Sequence, residues 1–197
     1  RCLGISTLVR DTEATFLSSL DRIEPLRPED TTFVLDDSPG FRRSRLYLEA
    51  VLRKTPVPAT DHGLAGIEQA FASGFARALL LNDDVFVRPG CVEALKAAAG
   101  ADGAASPWLA GEGDARYRGG AIDWERGYAG HRDGANDYLI GGCVMISRGA
   151  WERTGPFDEA FFLYCEDVDW CLRARAAGVP LVVVPEELAD HVGGAST

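Results

Sequence analysis

The feature that most constrains the fold is the alternation of short apolar runs with amphipathic segments through about the first 100 residues. Runs rich in aliphatic and β-branched residues predict strands at residues 2–9, 31–37 and 77–87. Apolar residues recur at helical spacing in TEATFLSSLDRI, RSRLYLEAVLRK, GLAGIEQAFASG and CVEALKAAAG, which lie between or after these runs. Alternation of this kind is typical of an α/β fold with parallel strands, so we expect that fold.

Two of the predicted strands end in adjacent carboxylates. Asp36-Asp37 close the second run, and Asn82-Asp83-Asp84 interrupt the third. Sites in open α/β sheets lie at the carboxyl ends of the strands, so we expect both acidic ends in one crevice. Such a concentration of carboxylates indicates a positive partner, for example a divalent cation that also binds phosphate oxygens. A plain turn is the alternative explanation of Asn82-Asp83, because both residue types favour turns.

The second half of the chain has a different character. It is rich in Gly, Trp and Tyr, and YLIGGCVMIS is its clearest strand. The end of FDEAFFLYCEDVDWCLRARAAG predicts an amphipathic helix that stops at Gly178, and PLVVVP predicts a final buried strand. Neither a repeat nor a linker is evident, so we expect one domain over residues 1–197 with two unequal halves, about 1–100 and about 101–197.

Composition and charge exclude several classes of protein. The chain has 197 residues, 46% of them hydrophobic, and a formal net charge of −10, which disfavours nucleic acid as a partner. The apolar runs are all shorter than the roughly 18 residues of a membrane span, and no signal peptide is visible. The 5 cysteines form no CxxC motif, so we expect reduced thiols in a cytoplasmic protein.

The motifs of the common nucleotide-binding folds do not occur. The turn after the first predicted strand, VRDTEA, has no GxGxxG, so a dinucleotide site of that type is unsupported. The chain also lacks the GxxxxGK[ST] of the P-loop and the GxSxG of a nucleophile elbow.

Five stretches instead occur together in one order. They are VLDDSPG, GLAGIEQAFASG, ALLLNDDVFVRPGCVEAL, GGCVMISRGAWERTGPFDEAFFLYCEDVDWCLRARAAG and HVGG. In this combination the chain resembles the family 2 glycosyltransferases, and their rhamnosyltransferase and galactofuranosyltransferase-like branch most nearly. The resemblance covers nearly the whole chain and is most specific over residues 141–178.

This resemblance implies a GT-A fold, a single Rossmann-like and mostly parallel sheet flanked by helices. The first half would bind the nucleotide, and the smaller second half would carry the acceptor side and the catalytic residues. The implied activity is inverting, metal-dependent transfer of a sugar from a nucleotide-diphosphate donor to an acceptor hydroxyl. Its products would be glycans, cell-surface polysaccharides or glycosylated metabolites.

The resemblance also assigns residues to the donor. Asp36 and Asp37 match the aspartate that bonds the base, and Asp83 is expected near the donor ribose or sugar. Because a carboxylate accepts the N3–H of uracil or thymine and repels the bare N1 of adenine, we expect a UDP- or dTDP-sugar. Thr7 and Arg10, at the end of the first strand, and Gly142 are further candidates for contact with the nucleotide-sugar.

The metal site is expected at the same strand ends. Asp84 matches the last carboxylate of the family's DXD-type motif, which binds a divalent cation, and His191 matches a downstream histidine that completes the metal shell. Carboxylate and imidazole ligands suit Mn²⁺ or Mg²⁺, with the histidine favouring Mn²⁺. A lone histidine near a chain end is also commonly structural, which is the alternative for His191.

The catalytic base is expected in the pair Glu166-Asp167, which matches the family's ED motif, with Asp167 as the base itself. Its aromatic and apolar neighbours in the sequence would raise the pKa of Asp167 towards the working pH. The alternative is that acids at this position only stabilise a helix N-terminus. If Asp167 fails as the base, Glu166 and Asp169 remain to be tested.

Aromatic and basic residues supply weaker candidates. Trp124 and Trp170 are candidates for the acceptor side, since aromatic faces stack on sugar rings, although Trp124 could equally belong to the core. Arg10 and Arg118 could contact phosphate or base. His62 and His131 receive no role.

The chain also departs from the family pattern. Asp61 and Gln69 stand near places where the family often carries Asn, which weakens the case for donor contacts from that helix. Many relatives continue well past the matched histidine, so we expect acceptor recognition to be incomplete here or supplied elsewhere.

The partners expected are a nucleotide-sugar donor and a glycan, lipid-linked or small-molecule hydroxyl acceptor, with a homodimer as an open possibility. Two other classes of function stay open: a nucleotidyltransferase of similar α/β fold and a non-catalytic nucleotide-sugar-binding module.

Overall fold

A computed structural model describes residues 4–9, 31–36, 65–72, 74–82, 85–158, 160–161 and 165–191. The strands in these ranges are β1 (Gly4–Val9), β2 (Thr31–Asp36), β3 (Arg77–Asn82), β4 (Val85–Val87), β5 (Ala104–Ala110), β6 (Arg116–Tyr117), β7 (Gly120–Asp123), β8 (Tyr128–His131), β9 (Cys143–Ser147) and β10 (Leu181–His191). The helices are α1 (Ala65–Ala72), α2 (Cys91–Ala99), α3 (Arg148–Thr154) and α4 (Glu166–Ala176). Among these helices, none is long and apolar enough to cross a membrane.

One large mixed sheet organises the described residues. Its strand order is β2-β1-β3-β9-β5-β10-β4, with β6 attached to β5, and β7 and β8 form a separate hairpin. The first three strands are parallel, as the alternation of strands and helices predicts. β9 lies antiparallel between β3 and β5, β10 is parallel to β5, and β4 is antiparallel to β10. The predicted α/β fold is confirmed, and the second half of the chain makes its sheet mixed.

The central strands β3, β5 and β9 are largely buried on both faces, which explains why they read as continuous apolar runs rather than alternating ones. In β9, Val144 and Ile146 pack in a cluster with Phe71 and Trp170, on the face covered by α1, α3 and α4. The intervening residues of β9 point to the opposite face, where they pack with Leu95 of α2. Burial of both faces fixes the register, because a slip by one residue would exchange the two sets of side chains.

The structure changes three of the predicted strand boundaries. The run 77–87 is two strands, β3 and β4, which pair with different neighbours. Only the second part of YLIGGCVMIS is a strand, beginning at Cys143. The final strand does not stop at Pro185 but continues to His191, with irregular pairing between Val184 and Ala189. The helices predicted in TEATFLSSLDRI and RSRLYLEAVLRK lie outside the described residues.

The helix boundaries follow local chemistry. α2 starts after Gly90, whose φ of 83° lies in the left-handed region that glycine tolerates. α3 was not predicted, but its signal is in the sequence, because the Ser147 hydroxyl accepts a hydrogen bond from the Ala150 N–H at 3.1 Å as an N-cap. α4 is the predicted amphipathic helix, and it begins after Cys165, a non-glycine residue with a φ of 70°.

Candidate active site

The ends of several strands meet at one edge of the sheet. The last residue of β2, Asp36, pairs with Val9 of β1, and the last residue of β3, Asn82, pairs with Leu8. Adjacent strands lie about 4.8 Å apart, so the ends of β2 and β3 are separated by roughly 10 Å across β1. Two predicted acidic strand ends, at Asp36 and next to Asn82, therefore open on the same edge.

The amino end of β9 joins this edge from the other side of β3. Cys143 pairs with Leu81, and the backbone N–H of Asn82 donates to the Gly142 carbonyl at 3.0 Å. Gly142 is buried, and a Cβ built on it would lie 3.3 Å from Val85 Cγ2. The predicted site residue Gly142 thus lies against the strand end that carries the Asn82-Asp83-Asp84 motif.

Four predicted site residues, Arg10, Asp37, Asp83 and Asp84, lie outside the described residues. Thr7 and Asp36 are placed by their backbones in β1 and β2, within the last three residues of each strand.

His191 reaches the same edge at the end of β10. In the antiparallel pairing of β10 with β4, His191 lies opposite Val85. Val85 directly follows Asp84 in the sequence, but Asp84 itself lies outside the described residues, so a metal site shared by Asp84 and His191 stays a prediction. Imidazole and carboxylate are ligand types that suit Mn²⁺ or Mg²⁺. No group of three or more potential metal ligands occurs within the described residues.

Arg88 fixes β4 against β10. Its backbone N–H donates to the Leu188 carbonyl at 2.8 Å, and its guanidinium donates to the Glu187 carbonyl at 2.8 Å. The same guanidinium makes two bonds to the Asp190 carboxylate, at 3.1 and 2.5 Å. These contacts hold the residue next to His191 and therefore support the register that brings His191 opposite Val85.

Asp167, the predicted base, lies in the first turn of α4 and turns back towards the sheet edge. One carboxylate oxygen accepts the Gly141 N–H at 3.0 Å, and the other accepts the Val168 N–H at 2.8 Å. Burial raises the pKa of Asp167 above its ordinary value, and these backbone N–H donors oppose part of that rise. Asp167 is thus a partly buried carboxylate next to Gly142, with an increased affinity for a proton.

Three ring side chains cluster near the end of β10, and one of them, His131, interacts electrostatically with Asp167. The ring of Tyr117 contacts His131 at 4.9 Å and His191 at 5.5 Å between centroids. Partial burial lowers the pKa of His131, while the charge of Asp167 opposes this effect. Tyr138 is also close to Asp167, and burial is the largest cause that raises the pKa of Tyr138 to about 12. His131 therefore belongs to the site environment, although the sequence offers no signal for it.

The other acids of α4 differ in their surroundings. Asp169 forms an ion pair with Arg173 at 2.8 Å, one turn further along the helix. Glu166, the first residue of the helix, is partly buried. Stabilisation of the helix is a sufficient reason for an acid at position 169, because an acid in the first turn and an i,i+4 partner both stabilise a helix.

Trp170 corrects a sequence-based expectation. Its side chain is 1% exposed, stacks on Phe157 at 5.7 Å and donates its indole N–H to the Gly155 carbonyl at 3.0 Å. A buried indole satisfies its N–H within the protein, and this one is committed to the core. Trp170 therefore faces the interior and not an acceptor.

Trp124 lies instead at the turn of the β7–β8 hairpin, where it is 72% exposed. This exposure excludes the core explanation, and contact with an acceptor stays a prediction. The Asp123 carboxylate accepts the N–H groups of Glu125 and Arg126 at 3.1 and 3.0 Å and so fixes the turn. Tyr128, across the hairpin, is exposed to a similar extent at 67%.

Arg118 has several partners in the second half of the chain. Its guanidinium pairs with the carboxylates of Glu187 at 2.9 Å and Asp133 at 3.4 Å, and it lies over the Trp108 ring at 5.1 Å. Glu187 also pairs with Arg116 at 3.1 Å, and contact of Arg118 with phosphate or base stays a prediction.

Part of the chain is similar in sequence to known sugar transferases. Rhamnosyltransferase WbbL of Escherichia coli K12 is 38% identical over 61 residues, which are 31% of this chain and 23% of that protein. The N-acetylglucosaminyl-diphospho-decaprenol L-rhamnosyltransferase of Mycobacterium tuberculosis H37Rv is 40% identical over 60 residues, which are 30% of this chain and 20% of that protein. The low-salt glycan biosynthesis hexosyltransferase Agl10 of Haloferax volcanii is 40% identical over 43 residues, which are 22% of this chain and 14% of that protein. The matches span a quarter or less of each relative, and no protein-family model matches the chain.

Solved structures are similar over almost the whole chain. GalNAc-T7, solved with UDP, GalNAc and Mn²⁺, superposes with a TM-score of 0.79 over 99% of this chain and 44% of its own, at 12% identity. The mannosyltransferase PcManGT of Pyrobaculum calidifontis, solved with GDP-Man and Mn²⁺, gives 0.67 over 98% of this chain and 57% of its own, also at 12% identity. The chain therefore has the GT-A fold of glycosyltransferases. The predicted resemblance to family 2 glycosyltransferases is confirmed by the rhamnosyl- and hexosyltransferase relatives, which match part of the chain, and the galactofuranosyltransferase-like side of the predicted branch stays a prediction.

Proposed function

We propose that the chain is the catalytic domain of an inverting, metal-dependent glycosyltransferase that moves a sugar from a UDP- or dTDP-sugar to an acceptor hydroxyl. The observation that carries this proposal is the meeting of Asp167, Gly142 and the ends of β2, β3 and β10 at one sheet edge. The rhamnosyl- and hexosyltransferase relatives support the reaction class, and the nucleotide complexes of the similar structures support the donor class.

The nucleotide would lie across the ends of β1 and β2. The pairing of Asp36 with Val9 supports this location, because a base seated beside β1 would reach the acidic end of the neighbouring strand. A carboxylate in that position accepts the N3–H of uracil or thymine. Thr7, Arg10, Asp37 and Asp83 are the further residues proposed to contact the nucleotide or the sugar.

A divalent cation, Mn²⁺ or Mg²⁺, would be held by Asp84 and His191. The register of His191 opposite Val85 supports this pair of ligands. When bound, the cation would neutralise the negative charge that develops on the diphosphate as the sugar leaves.

Asp167 would take the proton from the acceptor hydroxyl. A carboxylate has about four lone-pair positions, so its bonds to the Gly141 and Val168 N–H groups leave room for the acceptor O–H. The pKa of Asp167 is raised towards the working pH, which makes this carboxylate a more effective base. One base and one displacement invert the configuration at the anomeric carbon.

The acceptor would approach from the second half of the chain and would be a glycan, a lipid-linked sugar or a small hydroxyl compound. The exposed ring of Trp124 offers an aromatic face suited to a sugar ring.

The substitution Asp167→Asn tests the proposal by separating binding from chemistry. Donor affinity should stay within a few-fold, while turnover should fall by roughly 10²- to 10⁴-fold, the usual contribution of a general base. Because asparagine has one acceptor oxygen, one backbone N–H loses its partner, so the unfolding temperature is measured alongside. Titration calorimetry with the donor diphosphate and Mn²⁺ gives the affinity, and nucleoside diphosphate release gives the turnover.

Asp169→Asn is the matched control. It removes the same charge from the same helical turn, but it breaks only the ion pair with Arg173. Because both side chains of this pair are partly exposed, the pair contributes about 1 kcal/mol or less to the free energy of unfolding. The control should keep its turnover within a few-fold. Equal losses in the two variants, or full turnover in Asp167→Asn, would contradict the assignment of the base.

A further inference from the structure

We infer that Gly141 is a positioning residue for Asp167, through both its N–H and its missing side chain. The inference rests on the proposed role of Asp167 as the base. Gly141 donates its N–H to one Asp167 carboxylate oxygen at 3.0 Å across the junction between β9 and α4.

The space beside Gly141 is filled by Asp167 itself. A Cβ built on Gly141 would lie 2.9 Å from Asp167 Oδ2, 3.1 Å from its Cβ and 3.3 Å from its Cγ, and these are the three nearest heavy atoms. Contacts of this length force a displacement. An alanine at position 141 would therefore push the carboxylate away from the donor that holds it.

The backbone of Gly141 does not itself need a glycine. Its φ lies outside the left-handed region, in contrast with Gly134 and Gly155, which have φ values of 74° and 81°. An alanine can adopt the conformation at 141 without backbone strain. The effect of a Gly141→Ala substitution is thus transmitted by Asp167 rather than by a distorted turn.

The segment around Gly141 has little freedom to move away. The Leu139 N–H donates to Cys171 Sγ at 3.3 Å, which ties the preceding residues to α4. On the other side, the Gly142 carbonyl accepts the Asn82 N–H at 3.0 Å, and Cys143 is paired in the sheet. Relief of the clash must come from Asp167: its carboxylate can rotate away, while the 3.1 Å contact with its Cβ requires a small shift at the start of α4.

The groups around Asp167 show how the Gly141 N–H affects the pKa of this carboxylate. Tyr138 and Cys171 both interact electrostatically with the carboxylate, and burial raises the pKa of each to about 12, so both stay neutral. His131 of β8 also interacts with it, and the charge of this imidazole lowers the pKa of Asp167. The Gly141 N–H also lowers that pKa, so loss of its bond should raise the pKa of Asp167 further.

Gly141→Ala is the direct test. Turnover, donor affinity and the pH–rate profile are measured on the full chain with Mn²⁺ and a nucleotide-sugar that the unmodified chain uses as a donor. Turnover should fall roughly 10- to 100-fold, because a displacement of about 1 Å in a reacting group can cost 10²-fold. Affinity for the donor diphosphate should stay within about 2-fold. The acidic limb of the pH–rate profile should move to higher pH.

The double variant Gly141→Ala/Asp167→Asn separates positioning from other roles. If Gly141 acts through Asp167, the double variant should be no slower than Asp167→Asn alone, since residues that act as a unit are non-additive. Multiplied losses, or a Gly141→Ala protein with unchanged turnover and pH profile, would overturn the inference. Unchanged turnover in Asp167→Asn would instead defeat the proposed base, so the two failures are distinguishable.

Gly103→Ala is the control for simple crowding. A Cβ at Gly103 would lie 2.8 Å from the Pro180 carbonyl oxygen, and Gly103 bonds to Ser147 at the opposite edge of the sheet. This variant should lose stability while keeping its pH profile. If Gly141→Ala does not fold, Gly141→Ala/Asp167→Gly should recover the fold because the carboxylate and the Cβ that crowd position 141 are both gone, and a failure to recover would overturn the inference.

Discussion

At the scale of single residues, Asp167 combines two properties that rarely coincide on the surface. Its carboxylate is partly buried, yet two backbone N–H groups hold it at the edge of the sheet. Burial favours the protonated form, and the hydrogen bonds favour the charged form, with burial the larger effect.

This balance predicts how activity depends on pH. In the proposed mechanism the deprotonated carboxylate of Asp167 is the active form. Because its pKa is raised above the ordinary value of about 3.9, this form would be lost at a higher pH than in an exposed aspartate. At saturating Mn²⁺, turnover should therefore fall as the pH drops through a value above about 4. The measurement is kcat against pH for the chain and for Asp167→Asn. The same acidic limb in the asparagine variant would show that another group titrates.

Residue positions were predictable from sequence only where a local pattern carried them. The place of Asp167 in the first turn of a helix follows from the Glu166-Asp167 pair, and its raised pKa agrees with the apolar setting expected from sequence, while its role as the base stays a proposal. Trp170 lies three residues later in that apolar setting but is core, because its position on α4 faces α3. His131 is brought near Asp167 by the β8 strand, a long-range proximity that no short stretch of sequence encodes.

At the scale of elements, β10 does the most to assemble the site. Its eleven residues pass Pro185 and two glutamates before they pair with β4. The apolar run PLVVVP predicts a strand that ends at Pro185, where the run stops. The irregular pairing after Val184 accommodates the proline and lets the strand continue to His191.

The ties between β4 and β10 yield a prediction. Arg88→Met should weaken the affinity for a nucleoside diphosphate with Mn²⁺ several-fold, because Arg88 supports the register that brings His191 opposite Val85. Since the ion pair is partly exposed, the cost in unfolding free energy should be only about 1 kcal/mol or less. Lys96→Met is the matched control, because it removes an equal charge that pairs only within α2. Equal affinities for the two variants would show that the site does not depend on this pairing.

The ends of β1 and β2 yield a prediction on donor choice. With Mn²⁺ present, UDP or dTDP should bind about tenfold or more tightly than ADP, since an unpaired buried acceptor costs on the order of 1–3 kcal/mol. GDP is not excluded by charge, because guanine has an N1–H donor, but it needs a wider slot. Calorimetric titration of the four diphosphates measures the preference, and Asp36→Ala should reduce it. Equal affinity for UDP and ADP would show that the end of β2 does not read the base.

At the scale of the whole molecule, the sheet brings distant segments to one edge. Alternation of strands and helices was enough to predict the α/β class and the parallel start of the sheet. It did not predict that β9 enters antiparallel between β3 and β5, because a run buried on both faces carries no information on direction. That insertion brings Gly141 and Gly142 to Asn82, and α4 then brings Asp167 to Gly141.

The most direct test of sugar transfer is to incubate the chain with UDP- and dTDP-sugars and Mn²⁺ and follow the products by NMR. We expect slow release of a nucleoside diphosphate from at least one donor, with the freed sugar first appearing in the anomeric configuration opposite to that of the donor. A chelator should abolish the reaction, and added Mn²⁺ should restore it. Release of pyrophosphate, retention of configuration or full activity in excess chelator would contradict the account.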